Sequence, residues 1–278
     1  MRTFRIINNY GESYQLTDRS HFLHSVGGLG FEDDTYLLQV GTIRKPLTEN
    51  IFPQNPEGEI FFPEPGSYAK YREFTTFIRN TPLKLVYNPD GTDYFLPVRV
   101  KRIDKSEILI GHVGLSCKVV FAPLEAYYIT DYQINDGSYG DGKVYNYTYD
   151  YQYTNTVTQT VVFSVDSHID SPTKITIFGP VENPRWSHYV NNRLHASGNV
   201  NVTIPTGHKL VIDCTEVPFS IVEYDEAGEF VADRYQQSNF STDRFIFLQF
   251  GENRISVAQD GVDTVVLGVE AHIEYETV

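Results

Sequence analysis

The sequence predicts an all-β, mainly β-strand protein built as two successive sandwiches, the first carrying a single α-helix. Three observations predict it. Aromatic residues make up 14% of the chain, with 20 Tyr and 18 Phe, and such side chains fit a pleated, half-buried surface. Turn signals separate short β-rich runs every 8–12 residues through the second half, the rhythm of a sandwich or jelly roll. One stretch alone shows helical periodicity, and nothing alternates strand with helix as a parallel sheet would require.

The elements follow in order. "TFRIIN", "SYQLT" and "TYLLQVGTI" are short strands. In "GSYAKYREFTTFIRNTP", Tyr71, Phe74 and Phe77/Ile78 form an apolar stripe at helical spacing, with Ser67 expected as N-cap and Pro82 as the stop. "LKLVYN" and "YFLPVRVKRID" flank a Pro-Asp-Gly turn and read as a hairpin. "LSCKVVFAPL" alternates Cys117, Val119 and Phe121 on one face.

Residues 134–143, "INDGSYGDGK", read as a linker between a first domain, 1–133, and a second, 144–278. Asp136 and Asp141 invite comparison with a calcium loop, but the closing Glu is missing. Tyr145, Tyr147, Tyr149, Tyr151 and Tyr153 then alternate with polar residues, so at strand period the five rings share one face. That face reads as core packing or a protein interface, with a sugar surface as the alternative. Beyond it come "TQTVVFSV", "TKITIFG", "HKLVIDC", "FSIVEYD", "GEFVADRY", "RFIFLQFG", "NRISVAQ" and "VLGVEAHIEYETV", all expected as strands.

With 278 residues, 41% of them hydrophobic, the chain can bury a sizeable core. A net charge of −14 disfavours a protein that grips nucleic acid or anionic lipid. No run approaches the length of a membrane span, and no apolar segment after the N-terminus suggests a secretory signal. Sequons at Asn146, Asn201 and Asn239 then read as chance matches. Cys117 and Cys214 read as buried free thiols.

Chemistry is sparse. No phosphate loop and no nucleophile elbow occur. His21 and His24 lack a third metal ligand, and His168 with Asp170 reads equally as a strand-end turn. No catalytic, cofactor or metal residues are assigned, and an enzyme is not expected. The sole tryptophan follows "GPVENP". Pro180 and Pro184 lack backbone donors, so the segment must turn as a fixed corner. Trp186 reads as a plug beneath that corner. The alternative is a sugar contact made by Trp186 with Asn183 or Asn192.

The strand leading into "GPVENPRW", then "IPTGHKLVIDC", then "FIFLQFGENRISV", resembles the C-terminal domain of the distal tail (Dit) family of long, non-contractile phage tails. The matching positions are Gly179, Pro180, Asn183, Pro184, Gly207, Ile212, Asp213, Leu248, Gly251, Asn253 and Ile255. "GGLGFEDDTYLL", "EIFFPEP", the helix and the hairpin are similar to the family's ring-forming belt domain. The resemblance implies a galectin-like or carbohydrate-module-like second sandwich outside a homo-hexameric ring. It implies a structural hub in the virion, made in the host cytoplasm, joining the tail tube protein to tail-tip and receptor-binding proteins. DNA would pass through the ring without specific binding. The alternative function is a carbohydrate-binding module recognising host-wall sugars through the second sandwich. The Tyr145–Tyr153 run departs from the family pattern.

Overall fold

The computed structural model describes residues 2–18, 21–33, 36–40, 43–48, 51–107, 113–135, 159–260 and 265–278. The chain divides into two compact units, Met1–Ile129 with Glu274–Val278, and Thr130–Ile273. The tyrosines at 145, 147, 149, 151 and 153 lie outside the described residues, as does the expected linker apart from Ile134 and Asn135. Those two residues end the strand Tyr127–Asn135.

In the first unit, antiparallel strands pair in the order Phe22–Gly27, Glu57–Pro63, Gly114–Pro123, Tyr94–Lys105, Leu83–Asn88, Thr3–Ile7 and Ser13–Gln15. A bridge between Thr17 and Phe22, and a bond from the Leu23 N–H to the Leu16 carbonyl at 2.8 Å, stitch the last strand to the first. This sandwich therefore closes its own edges, which would otherwise be templates for further strand pairing. The hairpin at 83–105 forms as its turn chemistry predicts. The Asn88 side chain accepts the Gly91 N–H at 2.7 Å, and Asn88 also donates to Asp93, which pairs with Arg5.

The helix spans Ser67–Phe77. Its buried stripe, Phe74 and Ile78, packs in one core with Phe62, Leu115, Cys117 and Phe121. Tyr71 meets Phe62 edge-on at 6.0 Å. The expected cap is corrected. Gly66 is the N-cap, in the left-handed region, and Ser67 is the buried first helical residue. The Glu64 carboxylate reaches forward to accept the Gly66 N–H at 2.7 Å and the Ser67 hydroxyl. "TYLLQVGTI" is two strands, Tyr36–Val40 and part of Ile43–Thr48, paired as a hairpin. Flanking them, Phe31–Asp33 pairs with Ile51–Pro53 and leaves Phe31, Ile51 and Phe52 exposed.

The second unit is a sandwich of two antiparallel sheets. One runs Gln159–Val165, Gly251–Ala258, Arg185–Val190, Arg193–Asn199. The other runs Val266–Tyr275, Ser171–Phe178, Lys209–Asp213, Ser220–Tyr224, Phe230–Asp233. Alternation decides what faces in. Ile175, Ile177, Leu210, Ile212, Leu267 and Val269 are buried, as are Val161, Phe163, Trp186, Ile255 and Val257. At the tip between Arg185–Val190 and Arg193–Asn199, Asn191 and Asn192 both take positive φ, 48° and 66°, as a two-residue hairpin turn requires. "RFIFLQFG" is corrected: only Phe247–Leu248 are strand, paired with Ser171 and Pro172.

Candidate functional site

The corner singled out in the sequence is built as a turn. Strand Ser171–Phe178 ends at Gly179, where a Cβ would lie 2.1 Å from the Pro205 carbonyl oxygen, so only glycine fits. Val181 and Glu182 pair with Ile204 and Thr203. Asn183 sits at φ 48° and donates its side-chain amide to Asp260 at 3.0 Å, while Arg185 reaches the other Asp260 oxygen at 2.6 Å. The Asn183 bond, and after it Arg185, hold the Asp260 carboxyl below its ordinary range.

Trp186 turns the other way. It is 1% exposed. Its indole lies over Gly198, the residue opposite it in the strand pair, where a Cβ would come within 2.5 Å of the ring. Its N–H donates to the Arg244 carbonyl at 2.7 Å. Asn183 faces outward at the corner and Trp186 faces into the sandwich, so the two share no surface, and Trp186 offers no open face to a sugar ring. Trp186 fastens the loop that runs from Asn239 to Gln249.

That loop builds a cavity the sequence reading missed. Asn239 folds its start, its side-chain oxygen accepting the Ser241 N–H at 2.9 Å and the Ser241 hydroxyl at 2.7 Å. Ile246 is fully buried, and its carbonyl accepts the Thr173 hydroxyl at 2.8 Å. With Ile246 and Leu248 held inward, alternation turns Phe245 and Phe247 to the other side. There they meet Phe219 at 5.1 and 5.8 Å, and Tyr235 stacks on Phe245 at 6.3 Å. Arg244 lies over Tyr235 and Phe240, 4.7 and 4.4 Å from their centroids, and bonds the Tyr235 hydroxyl at 2.7 Å. The result is a cavity of about 400 Å³ with an aromatic floor and Asp170, His195, Thr242, Asp243, Arg244 and Gln249 around it.

Its rim is anchored by buried polar groups. Asn253 donates to the Gln249 and Gly251 carbonyls at 2.6 and 3.0 Å and accepts the Gln249 N–H at 2.9 Å. Those bonds fix the amide's orientation. Asn253 Oδ1 is therefore an acceptor toward His188 Nε2, 2.9 Å away, and the proton of His188 resides on Nε2. Burial holds the His188 imidazole below its usual range, so it is neutral.

On the outer face of the same sheet a second concavity of about 470 Å³ is lined by Thr160, Arg185, Ser187, Tyr189, Arg254 and Ser256. Arg254 lies 4.6 Å over the Tyr189 ring.

The other candidates are dispersed. His21 precedes, and His24 lies on, the strand Phe22–Gly27; they contact the Gln15 carbonyl and the Ser25 hydroxyl. His168 stacks on Phe250 at 4.5 Å. Cys117 and Cys214 are buried free thiols, pushed up by burial to about 12 and about 11. Among the described residues, no cluster of three His, Cys, Asp or Glu could hold a metal ion, and no helix is long and apolar enough to cross a membrane.

The profile of the distal tail protein N-terminal domain matches residues 3–124. Two solved chains of the phage P2 baseplate in its activated conformation, one with calcium and one with strontium, are similar in fold. Both are covered completely and cover this chain completely, at TM-score 0.65 and 11% and 13% identity. The SPP1 Dit protein, gp 19.1, is similar over 96% of this chain and 98% of its own, at TM-score 0.64 and 10% identity. No curated protein sequence matches. Residues 3–124 thus match the distal tail protein N-terminal domain, and the chain as a whole is similar in fold to SPP1 Dit and to these chains of the phage P2 baseplate.

Proposed function

We propose that this chain is a structural hub at the distal end of a phage tail, assembled as a homo-hexameric ring in the virion. The observation that carries the reading is the family match over residues 3–124, together with likeness over nearly the whole chain to SPP1 Dit, a hub of the adsorption apparatus in phages infecting Gram-positive bacteria. The surface chemistry supports it. The main sheet of the first unit leaves no free edge for strand addition by a neighbour. The exposed Phe31, Ile51 and Phe52 are apolar groups that no described residue covers. Placed against a different patch on the next copy, they make a head-to-tail contact, the kind that closes into rings. A net charge of −14 would repel passing DNA rather than retain it. The tail tube protein on one side, and tail-tip and receptor-binding proteins on the other, are the partners such a ring would join.

Native mass spectrometry of the purified chain tests this. The expected mass is near six times 31.8 kDa, and Phe52→Glu should return the assembly to single chains without lowering its melting temperature. A wild-type chain that stays monomeric alone and with the tail tube protein would sink the reading.

A further inference from the structure

The outer concavity of the second unit has no part in ring assembly as proposed, yet it is built as a binding site. Its shape follows from alternation along three paired strands. Val161, Trp186, His188, Ile255 and Val257 are buried inward, so Thr160, Arg185, Ser187, Tyr189, Arg254 and Ser256 turn outward. Register then sorts them into rows. Thr160, Ser256, Ser187 and Ser197 lie side by side across the four strands. Arg254 and Tyr189 face each other one outward step to one side, and Arg185 lies one outward step to the other, opposite Ala258. Small hydroxyl side chains between long ones leave a trough of about 470 Å³. Both walls and floor stand on hydrogen-bonded strands, which lowers the cost of ordering these groups on binding.

Arg254 is the group that the fold alone does not explain. Its guanidinium lies 4.6 Å over the Tyr189 ring, which holds it in place. Its Nε is buried and has no hydrogen-bond partner among the described residues. Buried polar groups are seldom left so. Arg5, Arg102, Arg185 and Arg234 form ion pairs among the described residues, and Arg254 does not.

The lining selects the sign of the ligand. Every polar side chain in it is a guanidinium or a hydroxyl, so all can donate and no carboxylate lines the trough. The Thr160 and Ser256 hydroxyls are 3.1 Å apart; one donates to the other, and the second proton stays free for a ligand. A cation would be repelled by two arginines, and a neutral polyol would leave the Arg254 charge unanswered. A group that only accepts and carries negative charge satisfies all of them. Asp260 pairs with Arg185 at the far wall, but both side chains are about half exposed, and such a pair holds its partners weakly. The net charge of −14 does not forbid the site, because charges beyond about 8 Å are screened at physiological ionic strength. From this convergence we infer that the trough binds an oxyanion, a phosphate or carboxylate group of a small ligand, with Arg254 as its main donor and Thr160, Ser187 and Ser256 beneath it. The inference does not rest on the ring, since one copy of the second unit supplies the whole site.

The test is calorimetric titration of the full-length chain in a zwitterionic buffer, with inorganic phosphate, dimethyl phosphate, acetate and glycerol as probes. At least one oxyanion should bind and glycerol should not; whether phosphate or acetate binds more tightly identifies the group. Arg254→Gln should weaken binding about tenfold or more, because it removes a charge-assisted donor. Arg254→Lys keeps the charge without the fork, so its affinity should fall between those of wild type and Arg254→Gln. Ser256→Ala should weaken binding about threefold. These last two variants should keep the wild-type melting temperature, so they carry the test if Arg254→Gln does not fold. Asp243→Ala, at the other cavity, should leave binding unchanged. No oxyanion bound at millimolar concentration, glycerol bound as tightly as the anions, or wild-type affinity in the Arg254 and Ser256 variants would each overturn the assignment. Ring assembly is read separately by mass, so an intact hexamer that binds no oxyanion would refute this site alone.

Discussion

The two units use polarity differently. Among the described residues, the first unit buries four polar side chains, Asn8, His21, Ser67 and Ser116. The second buries nine: Gln159, Ser167, Ser171, Thr173, His188, Glu223, Ser238, Asn253 and Gln259. The first unit closes its sheet and packs a helix on an apolar core, so non-directional burial does most of the work. The second must hold irregular segments in place, and hydrogen bonds to carbonyls do that. Thr173 and Asn253 both bond backbone of the 239–249 loop and its exit. A scaffold tolerates an oily core, whereas a shaped cavity needs directional fasteners.

Trp186→Ala should test that separation most severely. It removes a fully buried ring and its bond to the Arg244 carbonyl, at a cost of about 3–5 kcal/mol. Scanning calorimetry should show two transitions in the wild type and only one of them lowered in the variant. A single transition that moves as a whole would mean the units do not unfold separately, and the comparison would fail. Because Trp186 is the only tryptophan, its fluorescence reports the second unit alone wherever it is retained.

A smaller effect comes from Glu223, 2% exposed and held between Arg234 at 2.6 Å and His208 at 2.7 Å. Burial acts to raise its carboxyl, but the bonds from Arg234 and His208 outweigh that and hold it below its ordinary range. A depressed carboxyl contributes stability above its unfolded value and loses it as pH falls through the folded one. The second unit should therefore weaken in acid below about pH 4. Arg234→Ala should cost about 2–3 kcal/mol at neutral pH, less than a fully enclosed pair because Arg234 is partly exposed. Tryptophan fluorescence during acid titration checks both.

The first unit should respond in the opposite sense. Burial, and after it the charge of Glu125, push the Glu274 carboxyl up to about 7. In the folded state this group holds its proton where the unfolded chain has lost it. Stability is thus full below the unfolded value, near 4.5, and declines as pH rises through about 7. Glu274→Gln should remove that decline, a gain on the order of 1–3 kcal/mol at pH 8. Circular dichroism at the first unit's transition, followed from pH 5 to pH 8, would show an undiminished slope in the variant if Glu274 were not the group responsible.

What could be read from the sequence was local. The stripe Tyr71, Phe74 and Ile78 and the Pro-Asp-Gly hairpin each depend on residues within one or two turns, and both form as expected. Ser67 looked like a cap because its type suits one; Gly66 in the left-handed region brings Glu64 there instead, a matter of backbone angle rather than residue type. The prolines placed a corner before Trp186, but nothing near Trp186 says that its partner is Arg244, 58 residues on. The cavity went unread for the same reason: Phe219, Tyr235, Phe245 and Phe247 meet only once the sheets have packed. The local hint was aromatic density in "NFSTDRFIFLQF" behind a turn of Ser, Thr and Asp, too rich in turn formers to be the plain strand it resembles.

The smallest effect to be sought is the rare opening of each unit, and the chain carries its own pair of reporters. Cys117 lies in the first unit and Cys214 in the second, each buried and each with its thiol pushed well above the ordinary range. Thiolate is the reactive form, so neither should react with a thiol reagent at pH 8 while its unit is folded. Labelling then proceeds only through transient opening, at a rate set by that unit's local stability. Because rising pH weakens the first unit through Glu274 and leaves Glu223 fully ionised in the second, Cys117 should be modified before Cys214 at pH 8. In Glu274→Gln the order should reverse or the gap should close, while Trp186→Ala should speed Cys214 alone. Equal rates at the two cysteines in all three proteins, read by peptide mass spectrometry, would show that the units open together and that their different cores do not give them separate stabilities.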